Sequence, residues 1–198
     1  MREYIINKKP DHLDWSRIPA MPIDCLLWSE PVPITAQAAM CYDDTCLYVR
    51  LSAQEPNIRA ENTGLLDAPC EDSCLEFFFS PDPDDKRYFN IELNPNGCLY
   101  LGFGSNRYNL LRLIARSSPF SVQTERIPGG WQVSYQIPWD FIQLFFPHFK
   151  AESGKTMRAN CYKCGDFTVQ PHYLSWNPIT LENPDFHCPD YFGLLRFE

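Results

Sequence analysis

Apolar and polar residues alternate with a period of two along much of this chain, the pattern of strands that bury one face. In Cys74 to Phe79, residues Leu75, Phe77 and Phe79 fall on one side and Cys74, Glu76 and Phe78 on the other. From Tyr88 to Asn94, the apolar set Phe89, Ile91 and Leu93 alternates with Tyr88, Asn90, Glu92 and Asn94. Asn94-Pro95-Asn96-Gly97 then turns the chain, with Gly97 suited to positive φ, and the residues from Cys98 to Gly104 form the return strand. Another alternation directs Leu47, Val49, Leu51 and Ala53 inward and Cys46, Tyr48, Arg50 and Ser52 outward, after a turn at Asp43-Asp44. Residues 120–126 and 131–137 flank Pro128-Gly129-Gly130 and predict a hairpin whose apolar face is Trp131, Val133, Tyr135 and Ile137. Met157 to Cys164 and Tyr191 to Phe197 supply further strands. A single helix is predicted from Pro138 to Phe146, with Pro138 and Asp140 near its start and Pro147 just beyond.

Many short strands with one short helix predict an all-β fold, a mostly antiparallel β-sandwich. The 198 residues are expected to form one domain spanning 1–198. A hydrophobic content of 44%, with 15% aromatic, suffices for a substantial core. The formal charge of −8, with scattered rather than clustered Lys and Arg, argues against a nucleic-acid partner.

The N-terminal residues lack the apolar run of a signal peptide, and no stretch is apolar over membrane-spanning length. A cytoplasmic protein without a membrane partner is therefore expected. Nine cysteines is an odd number, and they are expected to be reduced thiols, many of them buried as small hydrophobes. Oligomeric state is left open by the sequence.

The sheet face opposite the core is the candidate for chemistry. It carries Glu76, Asn90 and Glu92 with Tyr88, and this mixture of carboxylates, amide and aromatic suits polar ligands with apolar faces, as sugars are. The same glutamates also read as solvated carboxylates, and Trp28, Trp131 and Trp139 read as core. Two acids invite a glycosidase reading, which needs carboxyl groups about 5 or about 9 Å apart across a cleft. Cys161 and Cys164 form a CxxC, with His172, His187 and Cys188 downstream, and zinc uses such ligands. A strand places Cys161 and Cys164 on opposite faces, however, so these thiols are expected to be structural. The glycines of Gly102 to Gly104 are not followed by the helix that phosphate binding requires.

Several motifs in order resemble one known family. They are the run from Asp72 to Phe78, the run from Tyr88 to Gly97, Ile137-Pro138-Trp139, the run from Asn160 to Asp166, and the ending from Ser175 to Glu198. Together, over about residues 25–198, they resemble carbohydrate-binding module family 9, and its stand-alone family 9-like branch in particular. The resemblance implies a β-sandwich of the immunoglobulin or jelly-roll kind that binds a mono- or oligosaccharide without cleaving it. It also implies a link to polysaccharide breakdown, xylan included, and in some members a structural calcium. The acidic turn Asp82-Pro83-Asp84-Asp85 offers oxygen ligands of the kind calcium prefers. No catalytic residue, cofactor or other metal is assigned.

In the family two tryptophans enclose a terminal sugar ring. One corresponds to Trp176; at the place of the other this chain has Cys70. The family's sugar-bonding glutamate corresponds to Glu76, and a family arginine falls at Asn90. The expected site is therefore a stacking platform at Trp176, hydrogen bonds from Glu76, Asn90 and Glu92, and rim contacts from Tyr88 and Arg107, whose forked guanidinium can bridge two hydroxyls. The alternative is an interaction module that keeps the fold but has lost the sugar site, favoured by Cys70. A glycoside hydrolase-type or metal-dependent enzyme comes third. A solvent-facing Trp176 beside Glu76 would favour sugar; a buried one would favour the interaction module.

Overall fold

The computed structural model describes residues 1–115 and 117–198. Its strands are β1 (Glu3–Lys8), β2 (Met21–Ile23), β3 (Cys25–Leu27), β4 (Thr35–Tyr42), β5 (Cys46–Gln54), β6 (Cys74–Ser80) and β7 (Tyr88–Leu93). They continue with β8 (Leu99–Asn106), β9 (Asn109–Arg112), β10 (Gln123–Ile127), β11 (Gly130–Pro138), β12 (Thr156–Cys164), β13 (Tyr173–Ser175) and β14 (Gly193–Phe197). One short helix, α1 (Trp139–Gln143), follows β11 directly. The fold is all-β.

The strands join in the order β10-β11-β5-β4-β1-β14-β12-β6-β7-β8-β9, with β2 on β4 and β13 bridging β12 to β3. Most pairs are antiparallel, but β1 runs parallel to both of its neighbours. Its residues Glu3 to Ile6 pair with β14, and Asn7 and Lys8 pair with β4. The sheet is thus mixed, a departure from the antiparallel expectation. One strand changes partner midway and lets the sheet curl on itself.

The curl encloses the main core. Leu47, Val49, Leu51 and Ala53 of β5 and the β11 set Trp131, Val133, Tyr135 and Ile137 share a cluster with Leu75, Phe77 and Phe79 of β6 and Phe89, Ile91 and Leu93 of β7. The alternation in the sequence therefore identified the inward set in all four strands. Gly97 turns the chain at φ 77° and Gly129 at φ 75°, a region open to glycine because it lacks a Cβ. The hairpin strand begins at Gln123 rather than 120, since Phe120 leaves the ladder to fill the core.

The second face of β6 and β7 differs from expectation. Every residue of both strands is buried, Cys74, Glu76, Phe78, Tyr88, Asn90 and Glu92 included. A second cluster covers them: Phe78, Tyr88 and Tyr162 pack with Ile179, Phe186 and Phe192 from the proline-rich segment after β13. That segment cannot continue the sheet, because Pro178, Pro184 and Pro189 lack ladder donors, and it folds across the face instead. What remains open there is one pocket.

Candidate functional site

Glu76 and Glu92 stand directly opposite each other in the β6–β7 register, so both carboxyls point to the same face. Together with Cys70 and Cys164 they line a cavity of about 250 Å³. Its walls carry three aromatic side chains, Trp28, Tyr173 and Phe186, and its rim carries Arg107, Asp166, Asp185 and His187.

The aromatic wall is assembled by strand pairing. The β3–β13 pair sets Tyr173 beside Leu27, which brings Trp28 alongside. The Trp28 ring meets Tyr173 edge-on at 6.2 Å and Phe186 at 5.7 Å, and its Nε1 donates to the Leu181 carbonyl at 2.6 Å. Phe186 stacks on Tyr162 at 4.1 Å. Trp28 also holds a positive φ of 43°, which disfavours bulky side chains and concentrates at functional sites. Sequence reading placed Trp28 in the core; the structure leaves it half-buried at the pocket. The strained residue after β3 has no signature in residue type.

The floor is acidic and poorly compensated. Burial, reinforced by Glu92, pushes the Glu76 carboxyl well above the usual range, and burial raises Glu92 to about 7. Glu76 accepts from the Cys164 thiol at 2.9 Å, and Glu92 accepts from the Asn90 amide at 3.0 Å. Asn90 is fully buried beneath Glu92, and its Oδ1 has no hydrogen-bond partner. At the rim, Arg107 pairs with Asp185 at 3.0 Å, and Asp185 also accepts from the His187 backbone N–H at 2.9 Å. Burial holds His187 down to about 4, and its Nδ1 lies 2.9 Å from the Tyr88 hydroxyl.

Of the six side chains expected at the site, Glu76, Glu92 and Arg107 line this pocket. Trp176 does not, and this corrects the expected stacking platform. Its residue is only 2% exposed and belongs to the main core, with its ring over Gly193, where a Cβ would come within 2.6 Å of it. Tyr88 is fully buried rather than at the rim, because Phe192 and His187 cover it. Asn90 lies under the floor. The alternation rule gave the face of these side chains but not what lay over it.

The two glutamates sit side by side on one floor and do not face each other across a cleft, the arrangement glycoside hydrolysis uses. Cys161 and Cys164 lie on opposite faces of β12 as expected, the first in the main core and the second in the covering cluster. In the Asp82 to Asp85 turn, Asp85 is held by Arg87 at 2.6 Å and Asp82 accepts from the Asp84 backbone N–H at 3.0 Å. Two of its three carboxylates thus already serve protein partners.

Comparison with known proteins gives a consistent result. The model of carbohydrate-binding family 9 matches residues 7–197. A protein of Bacteroides uniformis ATCC 8492, whose description as carbohydrate-binding is provisional, is 30% identical; the match covers 100% of this chain and 99% of that one, with a TM-score of 0.83. A family 9 carbohydrate-binding module from Caldicellulosiruptor kristjanssonii, solved with glucose, shares the fold at 14% identity and TM-score 0.71, covering 100% of this chain and 96% of the other. The same module with cellotriose gives 14% identity and TM-score 0.71, covering 100% and 94%. No curated protein matches.

Proposed function

The chain belongs to carbohydrate-binding family 9, and from that premise we propose that it binds a mono- or oligosaccharide, without cleaving it, in the pocket between Trp28, Tyr173 and Phe186. The observation that carries this reading is the composition of the cavity. Aromatic rings form its wall, while carboxyl groups form its floor and charged side chains its rim. A sugar ring has the matching surfaces: C–H groups for the aromatic wall and hydroxyls for the polar floor. Trp28 supplies the accessible aromatic face in place of Trp176. Glu76 and Glu92 meet hydroxyls, and the Arg107–Asp185 pair brackets the mouth.

Glucose and cellotriose are the first ligands to titrate, because family 9 modules of the same fold hold them. A single accessible tryptophan predicts weak binding, with Kd on the order of 1 mM, near −4 kcal/mol. Tryptophan fluorescence is expected to change on titration. Trp28→Ala should abolish binding and lower the melting temperature less than truncation of a fully buried tryptophan would, since the ring is only partly buried. Binding that survives Trp28→Ala moves the site to another face, and a glycan array without a binder sinks the reading. A role beside polysaccharide breakdown, xylan included, in a reducing cytoplasm belongs to the same proposal; all nine free thiols support the reducing compartment.

The burial of Trp176 favours the interaction-module reading, and a second observation adds to it. A larger cavity of about 670 Å³ between β9 and α1 is mostly apolar, with Leu65 and Leu144 at its edge 60% and 76% exposed. Such a patch suits a protein surface better than a sugar. An empty glycan array together with a co-purifying protein lost in Leu144→Asp would favour it.

A further inference from the structure

Two cysteines that are distant in sequence meet at the pocket floor. Cys74 opens β6 and Cys164 closes β12, and the antiparallel register sets them directly opposite each other. Glu76 is two residues further along β6, so its side chain leaves the sheet on the same face. The Cys74 and Cys164 sulfurs and a Glu76 carboxylate oxygen all lie within 4.8 Å of one another, and all three residues are buried. Cys164 and Glu76 also line the pocket, which gives an ion a route from solvent.

This cluster has no cation of its own. Glu92 faces Glu76 across the β6–β7 ladder, and Cys70 lines the same cavity, so the floor gathers two carboxyls and three thiols. The neighbouring basic side chains are committed elsewhere: Lys163 to Glu55 at 3.2 Å, Arg107 to Asp185, and Arg112 to the backbone carbonyls of Leu65, Leu66 and Asp67. Among the described residues no ion pair reaches Glu76 or Glu92. Buried acids without a cationic side chain beside them are held either by protons or by a metal ion.

The donor set selects the ion. Two sulfurs and one carboxylate oxygen are borderline-soft ligands suited to zinc, whereas calcium and magnesium require oxygen alone. We propose that Cys74, Cys164 and Glu76 form a binding site for a divalent thiophilic cation of the zinc class, with the fourth position open to the pocket. Both thiols, and the Glu76 carboxyl where it is protonated, lose their protons to solvent as the ion enters, so the donors bind as thiolates and carboxylate. Three protein ligands with one open position leave the ion able to accept a water or a ligand oxygen from the cavity. The Cys161-to-Cys164 motif does not act as a unit here, because Cys161 faces the main core. The site assembles only when β6 and β12 pair. The assignment shares Glu76 and Cys164 with the proposed sugar pocket, but it rests on the sulfurs and not on the aromatic wall.

Cobalt(II) serves as the spectroscopic probe. Metal-free, fully reduced protein titrated with Co²⁺ should develop, at one equivalent, a sulfur-to-cobalt charge-transfer band and the intense visible bands of a four-coordinate ion. Zn²⁺ should then bleach both. Cys74→Ser and Cys164→Ser should each weaken the charge-transfer band, and Glu76→Gln should lower the affinity while retaining it. Cys46→Ser, on another part of the sheet, should leave the spectrum unchanged. Because a buried serine can unfold the chain, alkylation of the unaltered protein gives a second measurement: Zn²⁺ should slow modification of Cys164 but not of Cys46. The absence of a charge-transfer band with excess Co²⁺, a band of undiminished intensity in both cysteine variants, or alkylation indifferent to zinc overturns the assignment. Glucose titrated into the metal-free protein reports on the sugar reading separately, so either can fail alone.

Discussion

Two tryptophans, one buried and one partly exposed, show how much a residue's role depends on what covers it. Trp176 follows β13, and its backbone N–H donates to the Cys161 carbonyl at 2.9 Å, which fixes its ring over Gly193 inside the curl. Trp28 follows β3 and keeps an accessible face at the pocket mouth. The same truncation should therefore read out differently. Trp176→Ala empties a large volume in a close-packed core and is expected to cost about 3–5 kcal/mol of stability, measured by urea unfolding. Trp28→Ala should change binding and cost less stability than Trp176→Ala, because its ring is only partly buried. A Trp176→Ala protein as stable as the parent would mean that the ring is not core.

At the scale of elements, a buried polar network ties the end of β5 to β12 and to the loop before β13. Glu55 accepts from the Trp131 indole at 3.0 Å and from the Ser73 hydroxyl at 2.7 Å, and it pairs with Lys163, which also donates to Nε2 of His172 at 2.7 Å. Burial, together with the Lys163 ammonium, lowers His172 from its ordinary 6.5 to about 4. Between those values the unfolded chain takes up a proton that the folded one refuses, so this group removes stability as pH falls from 6.5 toward 4. Glu92 acts with the opposite sign: its proton, held to about 7 rather than the ordinary 4.5, favours the folded state at the acid end of that window. His172→Gln isolates the histidine. Its amide oxygen can still receive the Lys163 proton, so the variant should lose less stability than the parent between pH 7 and pH 5 in urea melts. An equal loss in both proteins would remove His172 from the pH dependence.

At the scale of the whole molecule, the curl rests on β1, which holds β14 on one side and β4 on the other through parallel pairing. The two halves of the sheet thereby share one core, while a second cluster beneath the covering segment forms the pocket. No disulfide reinforces this arrangement, and all nine cysteines are free. Denatured protein should accordingly titrate close to nine thiols without reductant, measured with a chromogenic disulfide reagent. A shortfall of two would reveal a bridge absent from this structure, and the opposed Cys74 and Cys164 would be the first pair to examine.

Local pattern was enough to determine the inward residues of β5, β6, β7 and β11, the turns at Gly97 and Gly129, the start of the short helix at Trp139 though not its end at Gln143 rather than Phe146, and the opposite facing of Cys161 and Cys164. Each of these follows from a period of two or from a residue-specific backbone preference, both of which operate within a few positions. The order of motifs along the chain also carried the family resemblance. Glu76, Glu92 and Arg107 were legible as pocket residues because alternation and charge set them apart from the core. The pocket's aromatic wall was not. Trp28, Tyr173 and Phe186 come from three separate segments, and their meeting depends on β3 pairing with β13 and on a proline-rich segment folding over β6 and β7. Nothing in residue type separates the buried Trp176 from the accessible Trp28, and nothing in the spacing of Cys74 and Cys164 announces that they meet. Long-range pairing determines what covers each face, and so which of the polar residues facing away from the core still reach solvent.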